Sequence, residues 1–108
     1  MTQYMLISSR DPFAHRDAEA FYDLAASLAE ADNKVTLFLV QNGVLPARQS
    51  AFSARLTALS EAGITVCADG FSLRERGIAT DKLTSGVVIK DLDTVVDHLE
   101  TGAKTLWN

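Results

Sequence analysis

The sequence predicts an α/β fold: an open, mostly parallel, five-stranded sheet with helices on both faces. Three observations predict it. Apolar runs of strand length recur along the chain, segments with helical spacing separate them, and most of the runs are apolar throughout. Continuous apolar runs are typical of parallel strands covered on both faces, and the preference for right-handed crossovers restricts how such strands connect.

Five segments are predicted as strands. Four are the apolar runs Tyr4–Ser8, Lys34–Val40, Ile64–Ala68 and Gly86–Lys90. The closing residues KTLWN supply a fifth strand at an edge of the sheet. There, Trp107 is a candidate either for a contact between subunits or for a cap over its own core.

The segment between the first two strands predicts an amphipathic helix. Apolar residues stand at helical spacing at Ala18, Phe21, Leu24, Ala25 and Leu28. Acidic residues of the same segment, Asp17, Asp23 and Glu30, fall elsewhere. The apolar side of this helix is therefore expected to face the sheet.

A second helix is predicted to open at Pro46. Its apolar residues Phe52, Leu56 and Leu59 are spaced for one side, and Gly63 stands where a glycine cap is expected. Proline is favoured in the first turn of a helix and glycine just after its end. The third strand should follow at once.

A last helix is predicted from Leu92 to Glu100. Asp91 or Asp93 is the candidate N-cap. The residues expected to point inward are Val95, Val96 and Leu99, and Gly102 is expected to end the helix. The spacing of the three apolar residues indicates one buried side.

Length and charge exclude several classes of protein. With 108 residues the chain can bury one core, and 47% hydrophobic with 22% charged residues is typical of a folded globular protein. The formal net charge is −4, and the ten Lys and Arg residues are scattered along the chain. Direct binding to nucleic acid is therefore not expected, because such binding needs a basic surface.

The start of the chain predicts a cytoplasmic protein. The residues MTQYMLISSRD lack the basic start and the small-residue cleavage site of a secretory signal. No apolar run approaches the ~18 residues that a membrane helix requires, so no membrane partner is expected.

A functional rim is predicted where the strands end, because ligands of open α/β sheets collect beyond the carboxyl ends of the strands. The residues there are Ser8, Ser9 and Arg10, then Gln41, Asn42 and Gly43, then Cys67, Asp69 and Gly70. The segment QNGVLP does not match a phosphate-binding glycine pattern and is interpreted as a loop that ends a strand.

Cys67 is the single cysteine, so it can form no internal disulfide. Ser72 and Glu75 match a capping box, which predicts a short helix beginning at Ser72. The N-terminus of that helix, together with Arg74 and Arg76, would favour a thiolate at Cys67. Asp69 and Glu75 would oppose it, and a free cysteine is also a common core residue of strands.

Other chemistries receive less support. His15 and His98 have no partner at metal-ligand spacing, so no metal is expected and both are interpreted as solvated helix residues. A cysteine hydrolase would need a base and a third orienting group that the spacing does not supply, and a peroxidase would need a resolving thiol. No cofactor is predicted.

Three segments together resemble one known family. YMLISSRDP, VTLFLVQNGVLPAR and VCADGFSLRERGI are similar to the DsrE/TusD-like (DsrE/DsrF-like) sulfur-relay proteins. The resemblance implies a three-layer α/β fold in one DsrE-like domain over residues 1–108, and a trimer or hexamer of like subunits. It also implies a persulfide on Cys67, ahead of Arg76-Gly77, although the intervening ADGFSLRE is longer and more acidic than the segment expected for carriers.

Two hypotheses follow. The leading one is a sulfurtransferase-like carrier that accepts sulfane sulfur on Cys67 from a donor protein and passes it to an acceptor protein. No resolving cysteine is needed for such a relay. The alternative is a non-catalytic oligomeric binding or scaffolding module of the same fold, in which Cys67 is a core residue and the rim holds a ligand or partner.

Overall fold

The computed structural model describes residues 2–108, which form a five-stranded sheet. The strands are β1 (Gln3–Ser8), β2 (Lys34–Leu39), β3 (Thr65–Asp69), β4 (Val87–Lys90) and β5 (Lys104–Trp107). Their order is β4-β3-β2-β1-β5, and every pairing is parallel. All five predicted strands are confirmed, and the sheet is parallel throughout.

Four α-helices and two short 3-10 helices connect the strands. The α-helices are α1 (Arg16–Glu30), α2 (Ser53–Glu61), α3 (Gly70–Glu75) and α4 (Asp93–Glu100). The 3-10 helices span Gln41–Ala47 and Thr80–Lys82. Because α4 lies on the opposite side of the sheet from α1 and α2, the three-layer prediction is confirmed.

The larger part of the core lies between the sheet and the helices α1 and α2. Alternate residues of each strand point to one side of a sheet. On this side β2 contributes Val35, Leu37 and Leu39, and the helices contribute residues such as Tyr22 and Leu56. These side chains exclude water from the centre of this side of the sheet.

The other side of the sheet carries a smaller apolar cluster. Its buried members are Met5, Ile7, Phe38, Val40 and Cys67. The helix α4 crosses this side and packs Val95 against the cluster. The eight-residue helix α4 thus covers this side of the sheet, whereas α1 and α2 cover the opposite side.

The prediction that Pro46 opens the second helix is wrong. Pro46 lies inside the first 3-10 helix, and α2 begins only at Ser53. The carbonyl of Ala47 accepts the backbone N–H of Thr84 over 2.7 Å, so it is not available to a continuing helix. Phe52 precedes α2 and packs edge-on against Phe13.

The inward side of the last helix is narrower than predicted. Val95 packs inward, but Val96 and Leu99 are 51% and 54% exposed. His98 is partly buried, with Nε2 3.5 Å from the Thr36 hydroxyl, and is therefore not the solvated residue expected. Residues three apart share one side of a helix, so Val95 and His98 form the stripe over the sheet.

The predicted helix ends are confirmed at two glycines. Gly63 and Gly102 have φ values of +94° and +85°, which side chains with a Cβ rarely adopt. At the start of α4, Asp91 accepts the backbone N–H of Asp93 through Oδ1, while the residue directly before the helix is Leu92. In α1, Leu24 is 39% exposed, contrary to its predicted inward position.

None of the helices within residues 2–108 combines the length and the apolar character needed to span a membrane.

Candidate functional site

Cys67 is the middle residue of β3 and is enclosed by the sheet and α4. Its side chain belongs to the cluster around Phe38 and is 1% exposed. Burial raises the pKa of the thiol to about 11, and the nearby Lys90 ammonium lowers it only in part. A thiol in this position is protonated near neutral pH.

A row of side chains crosses the sheet at the level of Cys67. Paired positions run from Val88 through Cys67, Phe38 and Ile7 to Trp107. The three central residues are buried, whereas Val88 and Trp107 at the two edges are 44% and 66% exposed. The helix α4 therefore covers the centre of this row and leaves its ends open.

The capping box predicted at Ser72 and Glu75 is wrong, because α3 begins two residues earlier. Asp69 is the N-cap, and its Oδ2 accepts the backbone N–H of Ser72 over 3.0 Å. An aspartate at this position satisfies an N–H that has no partner within the helix. β3 thus passes directly into α3.

A pocket of about 590 Å³ lies beyond the carboxyl ends of β2, β3 and β5. We refer to it as the main pocket or, from its position, the strand-end pocket. It is lined by Val40, Gln41, Asn42, Asp69, Phe71, Ser72, Glu75, Arg76, Leu92 and Trp107. This is the edge of the sheet at which the sequence predicts a rim.

A chain of hydrogen bonds holds the floor of the pocket. The Ser72 hydroxyl donates to Asp69 Oδ2 over 2.7 Å and accepts the backbone N–H of Gln41 over 2.8 Å. Gln41 has a positive φ of +52°, which an unbranched polar residue tolerates at some cost. Asp69 and Ser72 are 3% and 4% exposed. The ends of β2 and β3 are therefore fixed to each other by polar side chains.

Arg76 is positioned by two neutral groups. Its Nε donates to Asn42 Oδ1 over 3.0 Å, and a terminal nitrogen donates to the Ser72 carbonyl over 3.2 Å. No carboxylate of residues 2–108 lies within 4 Å of the guanidinium. The cation is thus held in place without an ionic partner.

Several predicted rim residues lie outside this pocket. The Ser9 hydroxyl donates to the Asn108 carbonyl, and Arg10 pairs with Asp17 of α1 over 3.3 Å. Gly43 is buried, where an added Cβ would lie 2.1 Å from the carbonyl oxygen of Ser8. These residues shape the ends of β1 and β2 instead of lining the cavity.

Gly70 and Arg74 belong to a neighbouring pocket beside β4, lined also by Lys90. Of the residues predicted to surround a thiolate, Ser72 and Arg76 line the main pocket and Arg74 does not. The charge that acts on the Cys67 thiol is Lys90. The predicted residues are therefore divided between two pockets, and Cys67 lines neither.

The sequence interpretation missed the apolar wall of the main pocket. Phe71, Leu92 and Trp107 line it, and they are 60%, 56% and 66% exposed. A signal existed for Trp107, because it closes an edge strand and parallel strands end at a common edge. Leu92 could not be found this way, because it precedes α4 and reaches the pocket only through the crossover.

Within residues 2–108, no group of three or more His, Cys, Asp or Glu residues is placed to hold a metal ion. The polar groups of the main pocket include one guanidinium, two carboxylates and the amides of Gln41 and Asn42. Such a set can bind a small polar molecule through hydrogen bonds and charge. The Ser72 hydroxyl of the same pocket is already engaged, because it donates to Asp69 and accepts from the Gln41 backbone.

Comparison with known families identifies the chain. The model of the DsrE/DsrF-like family matches residues 2–107. The chain belongs to the DsrE/DsrF-like family. The predicted resemblance is thereby confirmed, and no curated protein sequence matches the chain.

Solved structures share the fold of this DsrE/DsrF-like chain. The YchN protein of E. coli has a TM-score of 0.91 at 21% identity, with both chains covered completely. MTH1491 of Methanobacterium thermoautotrophicum has a TM-score of 0.86 at 20% identity, also with both chains covered completely. BT1422 of Bacteroides thetaiotaomicron has a TM-score of 0.77 at 16% identity, with 98% of this chain and 95% of its own chain covered. At sequence identities this low, the structural similarity shows a common fold and nothing more.

Proposed function

We propose that this DsrE/DsrF-like protein is a binding module that holds a small molecule in the strand-end pocket, with Cys67 as a core residue. One observation carries the proposal: the thiol is 1% exposed, whereas an open pocket of about 590 Å³ begins two residues further along at Asp69. Pockets of this size that combine apolar walls with a few fixed polar groups are typical of small-molecule sites.

The chemistry of Cys67 supports this choice over sulfur relay. A carrier thiolate must reach the outer sulfur of a donor persulfide and attack it. With a pKa of about 11, roughly one Cys67 in ten thousand is ionised at neutral pH. Access would also require α4 to move away from the sheet, because Val95 packs against the cluster that contains the thiol.

Chemical shifts of the protein's own amide groups test the binding function. A library of small polar aromatic fragments is added to ¹⁵N-labelled protein, and amide shifts are followed. We expect saturable shifts at Asn42, Ser72 and Arg76. The matched control region is the other end of the sheet, where Lys34 and Thr65 begin their strands. Shifts confined to that end, or none from the whole library, would contradict the proposal.

Intact-mass spectrometry tests the relay hypothesis separately. The protein is incubated with a sulfane-sulfur donor, and its mass is measured before and after reduction, beside Cys67→Ser. If the protein is a binding module, its mass should not increase on incubation with the donor. Cys67 should then react with an alkylating reagent only after the protein is unfolded. A reducible one-sulfur gain on the wild type alone would make Cys67 a carrier and would require donor and acceptor proteins.

The proposal includes self-association, as the trimer or hexamer that the family resemblance implies. Val96 and Leu99 are the exposed apolar residues of α4, and Val88 of the edge strand β4 is also exposed. Apolar side chains that cluster on a surface favour contact with another protein. The outer side of α4 is the surface through which like subunits would meet.

A further inference from the structure

The charge on the pocket wall constrains what the pocket can hold. Arg76 is a fixed guanidinium with no carboxylate of residues 2–108 within 4 Å. Of its five N–H groups, two donate to Asn42 and Ser72, which leaves three. A guanidinium with free N–H groups in a pocket is suited to a carboxylate.

A simple anion does not satisfy this pocket. Asp69 and Glu75 also line it, so two carboxylates accompany the single guanidinium. The protein hydrogen bonds to Asp69 fall on Oδ2 within the described residues, which leaves Oδ1 for a donor from a ligand. An anion at Arg76 would meet repulsion from these carboxylates, whereas a ligand that also carries a cationic donor would pair with both signs of charge.

The apolar wall of the pocket determines the chemistry of the uncharged part of the ligand. Phe71, Leu92 and Trp107 line the same pocket with large exposed apolar surfaces. Flat apolar groups pack well on such surfaces, and aromatic pairs gain further attraction from ring geometry. The wall therefore favours a ligand with an aromatic body next to its charged groups.

Resting on the proposed function, we infer that the pocket binds a small zwitterion with an aromatic side group. The carboxylate of the ligand pairs with Arg76, and its ammonium group donates to Asp69 and Glu75. The aromatic group packs between Phe71 and Trp107. Aromatic amino acids are members of this chemical class.

The chain contains its own reporter for the test. Trp107 is the single tryptophan and lines the pocket, so selective excitation of tryptophan reports on that wall. The probes are L-phenylalanine, 3-phenylpropionate, 2-phenylethylamine and inorganic phosphate. We expect saturable fluorescence change with phenylalanine, and binding at least about fivefold weaker for each probe that lacks one charge or the ring.

Two substitutions and one matched control locate the charges. Arg76→Gln is expected to weaken phenylalanine binding by about tenfold or more, whereas Arg74→Gln, two residues earlier in α3, should leave it unchanged. Glu75→Gln should weaken phenylalanine binding about two- to fivefold and at the same time strengthen binding of 3-phenylpropionate. A merely structural role for Glu75 would not move the two probes in opposite directions.

The outcomes separate this inference from the proposed function. Equal or tighter binding of 3-phenylpropionate, 2-phenylethylamine or phosphate would overturn the zwitterion but leave a ligand-binding pocket. Unchanged ratios between probes in Glu75→Gln would overturn it as well. Failure of all four probes would overturn the inference, and the fragment experiment would then decide the proposed function by itself.

Discussion

Arg76 donates from Nε to Asn42 Oδ1 over 3.0 Å and thereby joins the end of α3 to the segment that follows β2. The two residues are 34 positions apart in the chain. A second link, from the backbone of Gln41 to the hydroxyl of Ser72, joins the same two segments. The strand-end pocket is therefore built on a polar frame between two neighbouring strand ends.

Replacing Asp69 should destabilise this frame. Asp69→Ala removes the cap of α3 and the acceptor of the Ser72 hydroxyl, so the free energy of unfolding should fall by about 2 kcal/mol. Urea unfolding measures it. Ser72→Ala should cost about 1–3 kcal/mol, because the Gln41 N–H loses its acceptor.

The double variant gives the sharper result. Because Asp69 and Ser72 share a hydrogen bond, the loss in the double variant should be smaller than the two single losses together. Strict additivity within about 0.3 kcal/mol would mean that the two side chains act independently, contrary to the geometry.

The buried thiol should make stability depend on alkaline pH. Burial raises the pKa of Cys67 from its ordinary value of 9.0 to about 11. The unfolded chain therefore loses this proton first, so the thiol's contribution is complete below pH 9.0 and is lost as pH rises to about 11. The loss amounts to roughly 2 kcal/mol.

Cys67→Ala is the control for that pH dependence. Without the thiol, the fall in stability between pH 9.0 and 10.0 should be much shallower, because only buried Tyr22, whose pKa is raised above its ordinary value of 10.0, begins to contribute there. Urea titrations across this range measure the difference. Identical slopes in both proteins would indicate that the Cys67 thiol is solvated in the folded chain.

Gly43 should not tolerate a methyl group. A Cβ there would lie 2.1 Å from the Ser8 carbonyl oxygen, which also accepts the Val40 N–H. Because backbone atoms cannot rotate away, Gly43→Ala should destabilise the fold by about 3 kcal/mol or more. In contrast, Gly102→Ala meets no atom within 4 Å and should cost only about 1–2 kcal/mol for its positive φ. Thermal unfolding measures both variants, and a larger loss of stability in Gly102→Ala than in Gly43→Ala would contradict this prediction.

Two adjacent valines of α4 should behave differently. Val96→Ser changes an exposed side chain, so it should dissociate the assembly while changing the subunit's own stability by no more than about 0.5 kcal/mol. Val95→Ser changes a side chain that packs against the sheet, so it should lower stability by about 1–3 kcal/mol. Sedimentation velocity measures the first effect and urea unfolding the second.

The assembly proposal has a clear contrary result. A wild-type chain that sediments as a monomer at all concentrations would remove the role assigned to the outer side of α4. A Val96→Ser chain that sediments like the wild-type oligomer would place the contact elsewhere on the surface.

Local sequence determined the strands, the order of elements and the glycine helix ends. The apolar runs that became β1 to β4 needed no distant contact to be recognised, because a parallel strand covered on both faces is apolar along its length. Gly63 and Gly102 mark helix ends for a reason that is equally local, since both adopt a positive φ.

Only the tertiary structure decided which side chains share the site. The pattern around Cys67 was compatible with a strand-end thiolate, but α4 returns across the sheet and encloses the sulfur. The N-cap of α3 is Asp69 and not Ser72, whose hydroxyl instead bonds to Asp69 and across to Gln41. Leu92 and Trp107 reach the pocket through the last crossover and the edge strand. Such placements depend on contacts between residues distant in sequence, and the spacing of residues along one segment contains no information about them.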